Sequence, residues 1–578
     1  MSTSALIALA AIALVGVISA IIGSLGVRVA RSTSDFLVAS RTVGPLANAS
    51  AISGEYLSAA TLLGVAGLIL REGADALWYA IAFTAGYLAL LLFVAAPLRR
   101  SGAYTVPDFA EVRLGSSRLR RVCTLFVLLI GWLYLLPQLQ GAGLTLTILT
   151  GLPGWIGVAG AGIVVVLTVI GGGMRSITFV QAFQYWLKLT SVAVPALIIG
   201  GLFLSDARTF DRPSAPQFPV DTSVRIRTDV VLQVGGPVTF NATGEVDGHE
   251  VEGQVHWEPG EHVIRAGSSL RFASGTEVPT PVGSPITDQE WLNPMSGSAP
   301  NQLLEIYSIL IAGFLGTMGL PHVLVRFYTN PDGEAARRTT VLVIAMIGGL
   351  YLLVTQLGAL SRLYTPQLLV TGQTDAAVLM MPTAALGAGW FGWMISGLVA
   401  AGVAAAFLAT SSGLVVSLAG VLFTDVLTGR LRDFRFAAVL SSILPIVLAL
   451  TVTRLDFALT VPLVFAVAAS TFCPLLVLGI WWRGLTPAGA IAGVLVGGGL
   501  SAAAVAVSLF ASVRPGLLGV LLLRPAAVTV PAAFLTMIVV SLLTRSGVPA
   551  DVDRTLLRLH APERLGLTAS RFDARDDR

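Results

Sequence analysis

The sequence is poor in charged residues, and this shortage limits the class of protein it encodes. Asp, Glu, Lys and Arg make up 12% of its 578 residues, about half of the roughly 25% found in soluble domains. Hydrophobic residues make up 55%, and the mean hydropathy is +0.82. This composition excludes an ordinary soluble domain and predicts a polytopic membrane protein. The net charge of +4 is not gathered into one basic patch, so we expect no nucleic-acid partner.

Cysteine and catalytic motifs are also scarce. The two cysteines, Cys123 and Cys473, lie in separate apolar runs, which excludes a disulfide framework and a zinc site of paired CxxC motifs. The chain contains no nucleophile elbow, phosphate-binding loop, HExxH motif or paired catalytic carboxylates. We therefore expect no enzyme and no cofactor.

Long apolar runs are abundant, and runs of about 20 residues are long enough to span a bilayer. Arginine clusters within 28–41, 99–121, 337–338 and 430–435 fall in loops on one side, which the positive-inside rule assigns to the cytoplasm. We therefore expect a multi-pass protein of the plasma (inner) membrane with its N-terminus outside and its C-terminus inside. The thirteen predicted spans are 4–26, 45–70, 76–98, 122–150, 154–173, 178–204, 303–328, 338–361, 388–425, 436–453, 456–482, 487–511 and 517–543.

One polar region interrupts the series of spans. Residues 205–302 are rich in Gly, Pro, Thr and Val and alternate in places between apolar and polar residues, which predicts a small β-rich domain outside the membrane. Its three histidines, His249, His256 and His262, suggest either a metal site or isolated strand residues, and the second interpretation is the commoner one. The tripeptide at Asn241 matches a glycosylation acceptor.

The spans on either side of this insert form two groups of five. Because five is odd, the second group runs inverted relative to the first, an arrangement typical of transporters. The predicted regions are 1–44 (an extra helix and first loop), 45–204 (first repeat), 205–302 (insert), 303–482 (second repeat), 483–545 (two further helices) and 546–578 (cytoplasmic tail).

Three spans contain polar or helix-breaking residues at mid-membrane depth. The second span contains "ASAISGEYLSAATLLG", in which we expect a break near Ser53 and Gly54. The seventh contains "GFLGTMGLPHVLVRFYT", where Gly and Pro interrupt the helix. The ninth contains "AAGVAAAFLATSSGLVVSLAG", whose hydroxyls either bind a ligand or bond to their own helix. Paired broken helices in corresponding positions of inverted halves indicate a transport site.

Seven motifs follow one another along most of the chain, and they are "SDFLVASRTVGPLANASAISGEYLSAATLLG", "YTVPDFAEVRL", "LYLLPQLQGAGLTL", "GGGMRSITFVQAFQYWLK", "GTMGLPHVLVRFYT", "GLVVSLAGVLFTD" and "FAVAASTFCPLLVLGIWW". Through these motifs the chain resembles the sodium/solute symporter family, and within it the acetate and monocarboxylate permeases. The resemblance implies a LeuT-like inverted-repeat fold, here all-α with a β-rich insert, and a cation-coupled (Na+ or H+) symporter of acetate or another short monocarboxylate that works by alternating access. Proline, sugars and polyols are alternative substrates, and an uncoupled channel or a sensor is an alternative function.

The resemblance also implies a cation site between the break in the second span and the ninth span. Thr410 would offer one hydroxyl to the cation. Sodium-coupled members usually carry a second hydroxyl at the position just before it, but this chain has Ala409 there. Ser411 is an alternative ligand, although it lies about 100° further round the helix. The implied ligands are the backbone carbonyls of Ala49, Ile52 and Ala406 and the hydroxyls of Thr410 and Ser411.

Lys188 is the only lysine in the chain and falls within the sixth predicted span. It lies two helical turns after Gln181, and Gln181 stands where many members of the family have an acidic residue. A lysine inside a span is a functional candidate, so one hypothesis is that Lys188 replaces a coupling cation and exchanges a proton. The alternative is that its side chain extends to the membrane interface.

We expect the substrate to bind beside the same break, where amide groups freed from the helix suit a carboxylate. Glu55 is predicted to be protonated, paired, or turned into the polar gap. Arg326 either attracts the carboxylate or anchors a helix end, and His322 either titrates or makes a structural hydrogen bond. We expect a small monocarboxylate and the bilayer as partners, and no obligate protein partner. The candidate substrate contacts are Ser53, Gly54, Tyr56, Gln138 and Thr317.

Overall fold

The computed structural model describes residues 2–25, 39, 42–205, 210, 215–295, 301–427, 433–451, 457–510 and 516–562. The chain is mostly helical, and its α-helices, numbered in chain order from α1 to α21, are Thr3–Leu25, Pro45–Tyr56, Ala66–Glu72, Leu77–Phe93, Ala95–Arg100, Val106–Leu114, Ser117–Thr150, Gly154–Ser205, Asp288–Leu292, Gln302–Gly319, Pro321–Phe327, Gly333–Tyr364, Gln367–Thr371, Ala377–Leu386, Trp390–Val421, Phe434–Thr451, Phe457–Trp481, Pro487–Phe510, Leu517–Leu523, Ala526–Leu543 and Val552–His560.

Twelve helices in the described part of the chain are long and apolar enough to cross a membrane, where the sequence predicts thirteen. The difference arises in the first repeat. The segment Ala60–Phe93, one of the twelve, contains both α3 and α4, and Gly73 between them leaves the helical region with φ 64° and ψ −131°. The predicted span 45–70 thus corresponds to α2 and α3, and the predicted span 76–98 begins with α4. The arginine cluster at 28–41, Arg430 and Arg432, and residues 563–578 of the predicted tail lie outside the described residues.

Local sequence signals set several helix ends. The side chain of Thr105 accepts a hydrogen bond from the amide of Asp108, and Asp332 accepts one from Ala335 at 2.7 Å. These capping bonds satisfy amide groups that have no partner within the helix. At the other end, Gly115 closes α6 with a φ of 64°, a conformation that glycine adopts without strain.

The α15 helix is the centre of the bundle. Its membrane-spanning part is completely buried, and it packs against α1, α7 and α8. Its residues are small along much of its length, with Ala404, Ala405 and Ala406 in sequence, which lets neighbouring helices approach closely. This packing places Thr410 of α15 beside α2.

The insert is a β-rich domain, as the sequence predicts. Its strands, numbered in chain order from β1 to β7, are Thr222–Arg225, Val230–Val234, Val238–Val246, His249–Trp257, Gly260–Ile264, Ser269–Phe272 and Thr280–Pro281. The sheet has the order β1-β6-β3-β5-β2-β7, with β4 paired to β3, and each pair is antiparallel. Within the described residues, no group of three or more His, Cys, Asp or Glu side chains is arranged to hold a metal ion.

The end of the insert is attached to the helical bundle by Trp291 and Asp288. The indole of Trp291 donates to the carbonyl of Ile69 at 2.9 Å, near the end of α3. Asp288 accepts a hydrogen bond from Arg362 at 2.7 Å, and both side chains are buried. These contacts fix the insert over one end of the bundle, which we call the insert side.

Candidate functional site

The helix that opens the first repeat breaks at Leu57. The α2 helix ends at Tyr56, and the amide of Leu57 donates to the carbonyl of Ser53 at 3.1 Å. With ψ at 78°, Leu57 leaves the helical region, and the chain resumes as a π-helix, Ala60–Val65, that continues into α3. The sequence predicts the break near Ser53 and Gly54, and the observed break lies a few residues later.

Gly54 lies inside α2 because that helix passes very close to α8. A Cβ atom on Gly54 would collide with the backbone carbonyl of Gln181. The residue interpreted from sequence as a helix breaker is therefore a close-packing position between two helices. Ser53, its neighbour, directs its hydroxyl toward the sulfur of Met346 at 3.8 Å.

The ammonium group of Lys188 lies at the break. Its Nζ donates to the carbonyl oxygens of Gly54 and Leu57, the second at 2.8 Å. The whole residue is buried, so its side chain does not extend to the membrane interface. An ammonium group carries three donors, and two of them satisfy carbonyls that the end of α2 leaves free.

The α15 helix contacts the same break through Thr410. The hydroxyl of Thr410 donates to the carbonyl of Glu55 at 2.6 Å. Two residues further on, Ser412 bonds instead to the carbonyl of Leu408 in its own helix, at 2.5 Å. The other residues implied as cation ligands are buried in α2 or α15, and they are Ala49, Ile52, Ala406 and Ser411.

Glu55 and Arg326 form a buried ion pair. Arg326 Nε lies 2.8 Å from Glu55 Oε2, and each side chain is 1% exposed. The same guanidinium donates to Thr178 Oγ1 at 3.0 Å and to Gln181 Oε1, while Gln181 donates to the carbonyl of Ala409 at 2.7 Å. Glu55 is thus paired, and Arg326 lies within the bundle instead of at a membrane interface.

Arg326 belongs to the second broken helix. The α10 helix ends at Gly319 and α11 begins at Pro321, with Leu320 in an extended conformation between them. Pro321 suits a first helical position because its missing N–H would have no partner there. A Cβ on Gly316 would lie 2.6 Å from the carbonyl of Phe465, so this helix also packs closely on its neighbour, α17.

A small cavity lies on the insert side of the first break. Its wall is mainly aromatic, and Tyr56 is the residue that joins it to the break. The hydroxyl of Tyr56 lies 2.9 Å from Thr317 Oγ1 and donates to the carbonyl of Phe83 at 3.1 Å. The aromatic lining residues are Tyr56, Tyr79, Phe83, Tyr134, Tyr351 and Phe465.

Several buried polar atoms near this cavity have no hydrogen-bond partner within the described residues, and in two side chains both polar atoms are without one. These two side chains are Gln138, through its whole amide, and His322, through both ring nitrogens. Gln138 lies one turn after Tyr134 on α7, and the ring centroid of His322 is 5.3 Å from that of Tyr134. An unsatisfied buried polar group costs about 1–3 kcal/mol, so both residues are candidates for contact with a bound solute.

Sequence reasoning missed Tyr134 and Tyr351 as lining residues. Both lie within long apolar spans and carry a polar tip on a large apolar ring, which suits the wall of a solute cavity. A tyrosine in the middle of an apolar span is therefore a sequence feature that can indicate a cavity-lining residue. Their convergence on one cavity depends on packing between the two repeats and is not visible in either segment.

Comparison with known proteins identifies the family. The family model described as the sodium:solute symporter family matches residues 36–204 and 280–497. The unmatched segment between them contains most of the insert. An uncharacterized symporter of Bacillus subtilis is 29% identical over 87% of this chain and 88% of its own. A monocarboxylic acid transporter of Corynebacterium glutamicum is 28% identical over 81% of this chain and 78% of its own.

Solved structures give the same fold. A Na+-coupled sialic acid symporter, in a substrate-bound outward-open state, matches with a TM-score of 0.63 and 13% identity, covering 93% of this chain and 97% of its own. A nucleobase-cation-symport-1 family transporter matches with a TM-score of 0.53 and 13% identity, covering 91% and 99%. These likenesses confirm the predicted inverted-repeat transporter fold. The family match covers most of the chain, which therefore belongs to the sodium:solute symporter family.

Proposed function

We propose that this protein is a secondary active symporter that imports acetate, propionate, pyruvate or a similar short monocarboxylate together with a cation. Membership of the sodium:solute symporter family supports coupling to a cation. The relative named as a monocarboxylic acid transporter supports the substrate class. The cavity beside the first break is small and lined mainly by aromatic side chains, which favours a small solute over a bulky one.

The charge around the first break carries the proposal. Lys188 and Arg326 are both buried there, and Glu55 is the carboxylate that faces them. With all three ionised, the group holds an excess of one positive charge. A buried charge is costly unless an opposite charge accompanies it. The carboxylate group of a small solute in the adjacent cavity would supply that charge.

The positions of the cavity and the ion pair support alternating access. The cavity lies on the insert side of the break, whereas Glu55 and Arg326 occupy the halves of the two broken helices on the other side. A solute entering from the insert side would meet the closed pair beneath it. Release to the other side requires the two half-helices to separate, so this pair acts as part of the inner gate.

Substrate range and coupling can be tested together in proteoliposomes. We expect uptake of labelled pyruvate under an imposed cation gradient, with competition by acetate and propionate. Proline, sugars and polyols should not compete, because they lack a carboxylate or carry an amine for which the break offers no free acid. Competition by proline or a sugar, without competition by acetate, would contradict the proposed substrate class while leaving the family unchanged.

A further inference from the structure

The break in α2 has carbonyl groups of the kind that could coordinate a metal cation, but the chain itself already occupies them. The carbonyls of Gly54 and Leu57 accept hydrogen bonds from Lys188. The carbonyl of Glu55 accepts one from Thr410, and that of Tyr56 accepts one from the amide of Ser58 at 2.8 Å. Each carbonyl across the break therefore has a donor within the protein.

The residues around the break also fit a sodium ion poorly. A metal cation of this kind is held by several oxygen ligands, and proteins supply these from carbonyls, hydroxyls and carboxylates. Ala409 offers no hydroxyl, and its carbonyl accepts from Gln181. The hydroxyl of Thr410 is directed to the carbonyl of Glu55, whose carboxylate is paired with Arg326.

The charged groups around Lys188 also disfavour a sodium ion at the break. Glu55 of α2 is the charged group that acts on it, and Glu55 is shared with Arg326. The helices α1, α14 and α15, which pack against α8, carry no Asp, Glu, Arg, Lys or His. Charged residues of α7, α12 and α16 lie near the ends of those helices, away from the break. Lys188 and Arg326 together already exceed the single negative charge of Glu55. A metal cation added beside Lys188 would therefore increase this excess of positive charge, and these helices offer no further buried carboxylate to balance it.

We propose that the ammonium group of Lys188 is itself the cation of this site, so that solute transport is coupled to protonation of Lys188 and not to binding of a sodium ion. This rests on the proposed function and names its coupling ion. A proton from the outer solution converts the Lys188 amine to the ammonium form, and the ammonium joins α2 to α8. Once the carboxylate anion has been released to the inner solution, Lys188 releases the same proton to that side. One proton thus accompanies each anion, and no net charge crosses.

The ammonium group would also link the ion to the conformation of the protein. When protonated, Lys188 binds the carbonyl of Gly54 before the break and the carbonyl of Leu57 at the break. When neutral, it has one donor fewer and no charge, and its hold on these dipoles weakens. Protonation therefore favours the arrangement in which the break is closed around the cavity.

A binding measurement tests the exclusion of sodium without any substrate. The full-length protein in detergent is heated in sodium chloride and in choline chloride at equal ionic strength. We expect the same melting temperature in both salts, because an ion that binds only the folded state raises that temperature. A higher melting temperature in sodium would overturn the proposal, whatever the transported solute proves to be.

A transport measurement then tests the role of the proton. The probe is labelled pyruvate in proteoliposomes, with protein-free liposomes to subtract passive entry of the acid. For one proton per anion, a gradient of one pH unit limits accumulation to about tenfold, and a change of membrane potential leaves this limit unchanged. We expect Lys188→Gln to lose accumulation while still exchanging internal for external pyruvate. The matched control is Gln184→Ala, one turn earlier on α8, where the amide bonds to Ser19 at 2.9 Å.

The outcomes separate the two proposals. Sodium-driven accumulation at equal pH, or full pH-driven accumulation by Lys188→Gln, would overturn the role of Lys188 while leaving monocarboxylate symport intact. No pyruvate uptake under either gradient would contradict the proposed function, and the melting experiment would still decide whether sodium binds. Loss of folding in Lys188→Gln would be detected by gel filtration, and the wild-type melting and gradient experiments decide the proposal without that variant.

Discussion

The guanidinium of Arg326 lies 2.8 Å from the carboxylate of Glu55, and this buried pair joins the first broken helix to the second. The two residues are 271 positions apart in the chain. Thr178 and Gln181 of α8 bind the same guanidinium, so three helices meet at one charge. The pair therefore connects the two repeats close to the first break.

Removal of one partner of this pair should destabilise the protein strongly. Arg326→Met leaves the Glu55 carboxylate buried without its counter-charge, a change that typically costs about 3–5 kcal/mol. The double variant Glu55→Gln/Arg326→Met should lose less, because neither charge is then left alone. Thermal unfolding of the purified protein in detergent compares the three proteins.

The control for this prediction is an exposed pair. Arg338 lies 2.6 Å from Glu334 one turn away on α12, with the two side chains 70% and 54% exposed. Such pairs contribute about 0–1 kcal/mol, so Arg338→Met should barely change the melting temperature. Equal losses in Arg326→Met and Arg338→Met would contradict the structural role of the buried pair.

Close packing of α15 against Glu55 gives a second prediction. A Cβ atom on Gly413 would overlap the Glu55 carboxylate, so Gly413→Ala should lower thermal stability and uptake together. Gly349 of α12 has open space around it. Gly349→Ala should be neutral or slightly stabilising, since alanine in a helix gains about 0.5–1 kcal/mol over glycine. An unchanged melting temperature in Gly413→Ala would show that Glu55 is placed differently.

The hydroxyl of Tyr56 should affect the substrate more than the fold. It connects the cavity wall to Thr317 and to the carbonyl of Phe83, so Tyr56→Phe removes a polar group from the cavity and leaves the ring in place. We expect a several-fold higher KM for pyruvate with little change in melting temperature. Tyr185→Phe, whose hydroxyl bonds to Met346 outside the cavity lining, is the matched control and should leave KM unchanged.

Membrane orientation is open to direct chemical labelling. Both native cysteines, Cys123 and Cys473, are buried, so a cysteine introduced at an exposed site gives a clean signal. If the insert lies outside the cell, Asn241→Cys should react with a membrane-impermeant maleimide in intact cells. Arg435→Cys should react only after the membrane is opened. The reverse pattern would invert the proposed orientation.

Much of this architecture is predictable from the sequence because bilayer thickness and helix rise limit what apolar runs can form. Predicted span 487–511, for example, is close to the observed helix Pro487–Phe510. The break after α2 lies at Leu57, a few residues beyond the predicted place near Ser53 and Gly54, because Gly54 is a packing contact with α8 and not a helix breaker. The contact of Lys188 with α2 could not be predicted, because the sequence of α8 does not show which helix lies opposite Lys188.

Accumulation of labelled pyruvate in proteoliposomes tests the central proposal most directly. The account predicts that an inward cation gradient raises the internal concentration above the external one, and that an ionophore which collapses the gradient returns the ratio to one. Entry that stops at equal concentrations under every imposed gradient would indicate an uncoupled channel. That result would contradict symport by this protein.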